Sequence, residues 1–343
     1  MRFGVRGIGA AALVATSVAT PPARELAAQT TAGSCSVTVA GFNTFSGPDA
    51  CTKARDLFAF IMPQAGVALS GGNPVLGEGG TMGGWGKRAI SLRVTAVDGQ
   101  LPNNAVPISL SGSAVSSNFG ATRAPVPVPS VDAAIGLFAG IPAGLTNVGG
   151  VDLLLGATYL PKVDEEEFSI APQTSSFALS YGVRVGALQE SSLVPGVSVS
   201  YMRRKLPTVS LGYASSNDTI SVRNLAATSN SLRIVASKRV AIFGLAAGVG
   251  RDQLENTAGV EAVVNETVLG VPQRGQVTLN ALRQTTTRNT AFVNASVGLL
   301  LARLVGEIGW AAAGDSDPTT NTFDGRAANA GYRYGSLGVT VRF

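Results

Sequence analysis

From Lys87 to the end of the chain, apolar side chains recur at every second position, the periodicity of an extended strand with two chemically different faces. Ile90, Leu92, Val94 and Ala96 alternate with Ser91, Arg93 and Thr95. Val151, Leu153, Leu155, Ala157 and Tyr159 alternate with Asp152, Gly156 and Thr158, and Phe177, Leu179, Tyr181, Val183 and Val185 with Ser180, Gly182, Arg184 and Gly186. The pattern returns at Val197 to Tyr201, at Val209 to Tyr213 and at Phe243 to Val249. Two features separate it from the strands of a soluble sandwich. The second face is rich in Gly, Ser and Ala rather than Lys and Glu, and the segments reach the roughly 9–11 residues that cross a bilayer at a tilt. An apolar outside against lipid and a crowded, weakly polar inside account for both, and closure is then obligatory, because an open sheet edge in hydrocarbon leaves backbone groups unpaired.

Composition agrees. Charged residues make up 14% of the 343, against roughly a quarter in an ordinary soluble domain. The apolar excess is not gathered into helical spans of about 20 residues. The most apolar long stretch, 131–160, has only Asp132 and Asp152 as charges, but Pro142 and six glycines interrupt it. The expected fold is therefore all-β: a closed antiparallel transmembrane β-barrel of about 12–14 strands over 86–343, with a small N-terminal helical plug or cap. Loops at 102–123, 161–174 and 315–330 are long and polar, as on an outer surface, whereas 189–192 and 283–288 read as shorter connections. The acidic run Asp164 to Glu167 reads as a solvated loop before a divalent-ion site.

The first 28 residues read as a signal peptide: Arg2 and Arg6, an apolar run from Gly7 to Thr20, then small residues with cleavage after Ala28. Export puts Cys35 and Cys51 in an oxidising compartment, where an even count on a short loop reads as a disulfide; two unpaired buried thiols are the alternative. Segment 29–85 forms the plug or cap, inside the barrel or across its periplasmic mouth. Within it Leu57, Phe58 and Ile61 share one face of a helix expected over 51–62 and ended by Pro63, and the glycine-rich stretch 66–86 allows turns but little regular structure.

The chain ends Ser336-Leu337-Gly338-Val339-Thr340-Val341-Arg342-Phe343. With Ser336, Gly338, Val341 and a terminal Phe343 it resembles the closing strand of Gram-negative outer-membrane β-barrels. That resemblance implies the outer membrane as location, lipid and lipopolysaccharide as surroundings, and the barrel-assembly machinery as the partner that reads these four residues. Leu337, Val339, Val341 and Phe343 line one face, with Phe343 at the periplasmic interface; Tyr332 and Tyr334 have the opposite parity and face the lumen. Only 21 aromatics are present, so interfacial girdles are expected to be sparse. The N-terminal helix, the element Asn73-Pro74 and the strand number also resemble, more weakly, the long-chain fatty-acid transporter family, in which a plug fills the lumen.

For function, the sequence points to a passive channel or transporter for small, even hydrophobic, solutes, with Arg93, Asp152, Arg184 and Glu307 lining the lumen and tuning selectivity or else paired to neighbours. Small inward residues such as Gly244, Ala246 and Gly248 suit a packed plug or a hydrophobic ligand. The alternative is a structural or adhesion barrel with a filled lumen and no transport. The chain has no His, on which the enzymatic outer-membrane barrel families rely, and Asp132, Asp152 and Glu307 share no local motif, so no catalysis is expected. With no His and no CxxC pair, no metal or other cofactor is expected. The near balance of 26 basic and 21 acidic residues, without basic runs interleaved by aromatics, argues against nucleic acid. Arg203-Arg204-Lys205 reads as a charged strand end.

Overall fold

The computed structural model describes residues 35–39, 48–102, 113–164, 168–214, 219–268, 271–315 and 319–343. The signal-peptide segment 1–28 and Glu165 to Glu167 lie outside them. Ten strands close a ring: β1 (Arg88–Pro102), β2 (Ala121–Phe138), β3 (Gly150–Tyr159), β4 (Phe177–Leu188), β5 (Gly196–Lys205), β6 (Thr219–Val240), β7 (Phe243–Val268), β8 (Val271–Leu299), β9 (Ala302–Ala311) and β10 (Tyr332–Arg342). Each pairs antiparallel with the next, and β10 returns to β1, Tyr334 opposite Val97 and Arg342 opposite Ala89, so the ring has no open edge.

The ring is smaller than the 12–14 strands expected, although the whole sheet has fourteen among the described residues. Strands β6, β7 and β8 run for 22, 26 and 29 residues, each long enough to be read as two. Segment 283–288, expected as a turn, is the middle of β8; its polar residues sit where β8 faces the plug on one side and leaves the apolar belt on the other. Beyond the ring, β6 to β8 continue into an extension flanked by Cys35–Val39 on β8 and, beyond β6, by Val209–Ala214, Phe168–Pro172 and Val163–Asp164. On the opposite flank β2 outruns its last pair with β3, Ser130 with Thr158, and that overhang carries Pro125, Pro127 and Pro129. Prolines have no N–H to offer, so this edge recruits no further strand.

One end of the barrel carries short turns and the C-terminus; the other carries the long loops and the extension. Outward positions of β4, from Phe177 to Val185, are exposed and apolar, while Ser180, Arg184 and the other inward polar side chains are buried. Aromatics mark both borders: Tyr159 and Phe177, tilted against each other with ring centroids 4.9 Å apart, and Trp310, towards the loop end; Phe138, Phe243, Trp85 and Phe343 at the turn end. Leu337 and Val339 share the outward face with Phe343, and Tyr332 and Tyr334 are buried inside, as their parity requires.

Inside the ring lies one helix, α1 (Pro48–Ser70), followed by an irregular tail to Gly86. It starts thirteen positions beyond Cys35, the disulfide partner of its own Cys51, begins with Pro48 and Asp49 as helix starts favour, and does not stop at Pro63. A mid-helix proline normally ends a helix because it lacks the N–H that would bond the carbonyl four residues earlier. Here that carbonyl, on Ala59, accepts instead from Gln284 Nε2 of the wall at 3.2 Å, and the helix continues to Ser70. At its end Gly71 takes φ +56°, the left-handed conformation that closes a helix, and its N–H returns to Val67 O at 3.1 Å. No helix among the described residues is long and apolar enough to cross a membrane.

The direction of α1 matters. Its first turns meet the loops: Asp49 accepts from Val115 N at 3.1 Å, and Asp56 Oδ2 accepts from Thr320 N, Asn321 N and Asn321 Nδ2 at 2.9–3.0 Å. Phe60 stacks on Phe323 at 4.1 Å and Phe323 on Phe119 at 5.3 Å. Its last turn reaches Ser229 through Ser70, and the tail leaves at the turn end beside Phe343. The strand Cys35–Val39 and the first turns of α1 thus lie at the loop end. There Cys35 and Cys51 form the disulfide, Cα atoms 6.1 Å apart.

Candidate functional site: a plug held by buried charges

Arg93, Asp152, Arg184 and Glu307, placed in the lumen by parity, are all there and all buried. Each is engaged. Arg93 on β1 donates to Asp132 on β2 at 2.8 Å, and Arg204 on β5 donates to the other oxygen of the same carboxylate at 2.6 Å. Arg184 Nε donates to Asp152 at 2.8 Å, and the Met82 N–H of the plug points at the same carboxylate at 3.0 Å. Arg233 on β6 pairs with Asp252 on β7 at 2.6 Å.

These charges converge on Gly71-Gly72-Asn73, the turn between helix and tail. Arg233 donates to Gly71 O at 3.0 Å and to Gly72 O at 3.1 Å; Arg93 donates to Asn73 O at 2.8 Å. Glu307 on β9 accepts from Gly72 N at 3.0 Å and from Asn73 N at 2.8 Å, and is steadied by Asn294 at 2.6 Å and Ser336 at 3.1 Å. Polar backbone atoms that a strandless, helixless turn would leave unpaired in a dry interior are thereby satisfied, and charge-assisted bonds are the strong kind. Gly72 is required for this approach: a Cβ there would stand 2.5–2.6 Å from the Glu307 carboxylate. Asn73 completes the turn, its Oδ1 accepting from Val75 N and its Nδ2 donating to Glu78 O.

Towards the turn end the tail lies against the wall backbone itself. A Cβ on Gly79 would come within 2.5 Å of Ser237 N and 2.7 Å of Ala236 C, atoms of a strand that cannot step aside. We expect Gly79→Leu to prevent formation of the compact, heat-modifiable barrel, a larger effect than the roughly 1–3 kcal/mol of ordinary overpacking. The check is electrophoresis of unboiled and boiled samples; a normal shift in the variant would mean the tail can lie elsewhere.

The small inward residues have a different use from the ligand space considered from sequence. Gly248 faces the ring of Phe292, Gly250 the side chain of Arg233, and Gly309 that of Tyr334, so each vacates room for a large neighbour on the next strand. Parity alone also places Arg204, Arg233, Asp252 and Arg288 inward; Arg204, expected as part of a charged strand end, is a lumen residue, while only Lys205 of that trio is fully exposed. Asp132, Asp152 and Glu307 each accept on both oxygens from guanidinium, amide or hydroxyl donors, and Asp252 accepts from Arg233 Nη2 at 2.9 Å. That arrangement holds a turn in place.

Of the four residues that resemble an assembly signal, Ser336 reaches Glu307, Gly338 lies under Leu76 of the plug, Val341 is half-buried and Phe343 is exposed at the turn end. Asp164, from the acidic loop, is exposed and 3.7 Å from Lys162.

No family model and no curated protein matches the sequence. Among solved structures, the translocator domain of autotransporter NalP from Neisseria meningitidis is similar at 14% identity and a TM-score of 0.31, over 76% of this chain and 89% of that one. The Pseudomonas putida toluene transporter TodX aligns at 8% identity and 0.21, over 79% and 97%, and a Pseudomonas aeruginosa FadL homologue at 9% and 0.21, over 84% and 98%.

Proposed function

We propose that this chain is an outer-membrane barrel held shut by its own N-terminal segment, and that it acts at the outer surface as a structural or interaction barrel rather than as an open channel. The observation that supports this reading is the grip of Arg93, Arg233 and Glu307 on the backbone of Gly71, Gly72 and Asn73, in a lumen otherwise occupied by α1 and its tail. Passage of a solute would require several buried charges to lose their partners at once, each loss costing about 1–3 kcal/mol or more. The turn end then faces the periplasm, and the loop end, with strands β7 and β8 more than twice the roughly 9–11 residues a crossing needs, stands outside the bilayer as the interaction surface. Lipid and lipopolysaccharide around the belt, and assembly machinery acting on Ser336, Gly338, Val341 and Phe343, belong to the same reading.

Conductance in a planar bilayer tests it. The wild-type protein is expected to insert without steady current, and Arg233→Ala/Glu307→Ala, which releases both sides of the Gly71-Gly72-Asn73 turn, to give flickering openings. Stable ohmic steps from the wild type would overturn the closed reading and restore the channel.

A further inference from the structure

The turn end is apolar at its tips as well as along its wall. Each of the four strand-to-strand turns there exposes at least one large aliphatic side chain: Ile141 and Leu145 between β2 and β3, Leu193 between β4 and β5, Ile242 between β6 and β7, Leu300 and Leu301 between β8 and β9. Trp85, 82% exposed, and Phe343 stand beside them. In a barrel whose rim met only water, these tips would be the places for Asn, Asp and Lys. Instead the outward apolar face continues without a polar break from Leu304 and Leu245 on the wall, round Phe243, to the turn tips.

The charges at this end are one-sided. Lys87 and Arg88 open β1 in full exposure, and the Arg88 guanidinium lies 5.8 Å from the centroid of the Phe343 ring. Arg303, after the Leu300-Leu301 turn, has the inward parity of Val305 and Glu307 and bonds the buried Ser296 hydroxyl at 3.1 Å. Lys238 donates to Ser191 O and Ser192 O at 2.7 Å, bracing the turn that carries Leu193. The carboxylates beside them face inward and are already taken: Glu190 by Arg239, at 3.1 Å, and Glu78 by Arg342, at 3.3 Å. Among the described residues no acidic side chain lies within ion-pair distance of Lys87 or Arg88.

Apolar tips beside exposed cations that have no acidic partner fit a surface with an oily interior and a negative skin. We propose that the turn end is a docking rim for anionic phospholipid: Ile242, Leu300, Leu301 and their counterparts enter the acyl layer of the leaflet, while Lys87 and Arg88 seat on its phosphate headgroups. This rests on the membrane reading above. Continuity with the lipid-facing belt favours a leaflet over a partner protein, and the like charge around the rim disfavours a second copy meeting end to end.

The chain's two tryptophans stand at opposite borders, Trp85 on the rim and Trp310 towards the loops. The variants Trp310→Phe and Trp85→Phe therefore report the two levels separately. Each full-length variant is refolded into phosphatidylcholine vesicles containing phosphatidylglycerol, with the bromine quencher carried on the acyl chains of one lipid or of the other. Trp85 emission is expected to be blue-shifted and quenched about twofold more when the brominated lipid is phosphatidylglycerol. Adding Lys87→Gln and Arg88→Gln, with folding checked by heat-modifiable migration, is expected to abolish that preference. Unquenched Trp85 places the rim in water and overturns the proposal, equal quenching by the two lipids overturns its headgroup selectivity, and a Trp85 shift that depends on protein concentration in detergent assigns the rim to a second copy. Trp310 is the control: its failure to be quenched by either lipid overturns the membrane reading itself, whereas quenched Trp310 with unquenched Trp85 overturns the rim alone.

Discussion

Asp132→Ala is expected to destabilise the folded barrel by about 3–5 kcal/mol, the usual result of removing one partner from a buried ion pair. The carboxylate is shared by two arginines that reach it from different strands, Arg93 at 2.8 Å and Arg204 at 2.6 Å, and all three groups are buried. Without it, two guanidiniums are left in a dry lumen with no counter-charge, and Arg93 keeps only Asn73 O. The measurement is denaturant unfolding in detergent, followed by loss of heat-modifiable migration. Because charge stranding is the cause, removing the cations as well should repair much of the damage: Asp132→Leu with Arg93→Met and Arg204→Met is expected to recover most of the lost stability. A single variant within about 1 kcal/mol of wild type would mean that water reaches the site and the network contributes little.

Glu307→Ala is expected to loosen the plug while leaving the ring paired. It removes the acceptor of two plug N–H groups, on Gly72 and Asn73, and of the Asn294 amide. At about 1.5–3 kcal/mol per bond to a charged group, local opening of the tail becomes easier by some 3 kcal/mol. Amide hydrogen exchange over 71–86 should then accelerate by roughly a hundredfold, with the strand amides of β9 and β10 little changed. Uniform acceleration across plug and ring would instead make Glu307 a stabiliser of the whole fold, and no acceleration would detach it from the plug.

Much of this was written in the alternation. Period two assigned Arg93, Asp152, Arg184 and Glu307 to the inner face and Phe343 to the outer one, because a strand offers a side chain only two directions. Partnership was not legible. Arg204 meets Asp132 across two intervening strands, and the distance from one wall to another depends on how many strands close the ring, which β6, β7 and β8 obscured by running on without turn residues. The extent of α1 failed for a related reason. Pro63 is a sound local stop signal, and the group that relieves it, Gln284, lies more than two hundred residues away in sequence. Asn73-Pro74 was noticed as an element, yet nothing local announced that three strands would bind the backbone around it. The inward glycines were visible too, but whether they made room for a ligand or for Phe292, Arg233 and Tyr334 is a question of register between strands.

The Cys35–Cys51 link has a mechanical corollary. At one mouth the segment inside the ring is covalently continuous with β1; at the other it is riveted to a strand that is itself stitched to β8 by five residue pairs, Cys35 with Leu279 through Val39 with Gly275. A cork can be expelled, but a bolt with a head at each end cannot. In the oxidised protein any vacancy in the interior has to come from uncoiling between two fixed points, and α1, about 35 Å long as a helix, has slack to give only by melting. Reduction frees one head.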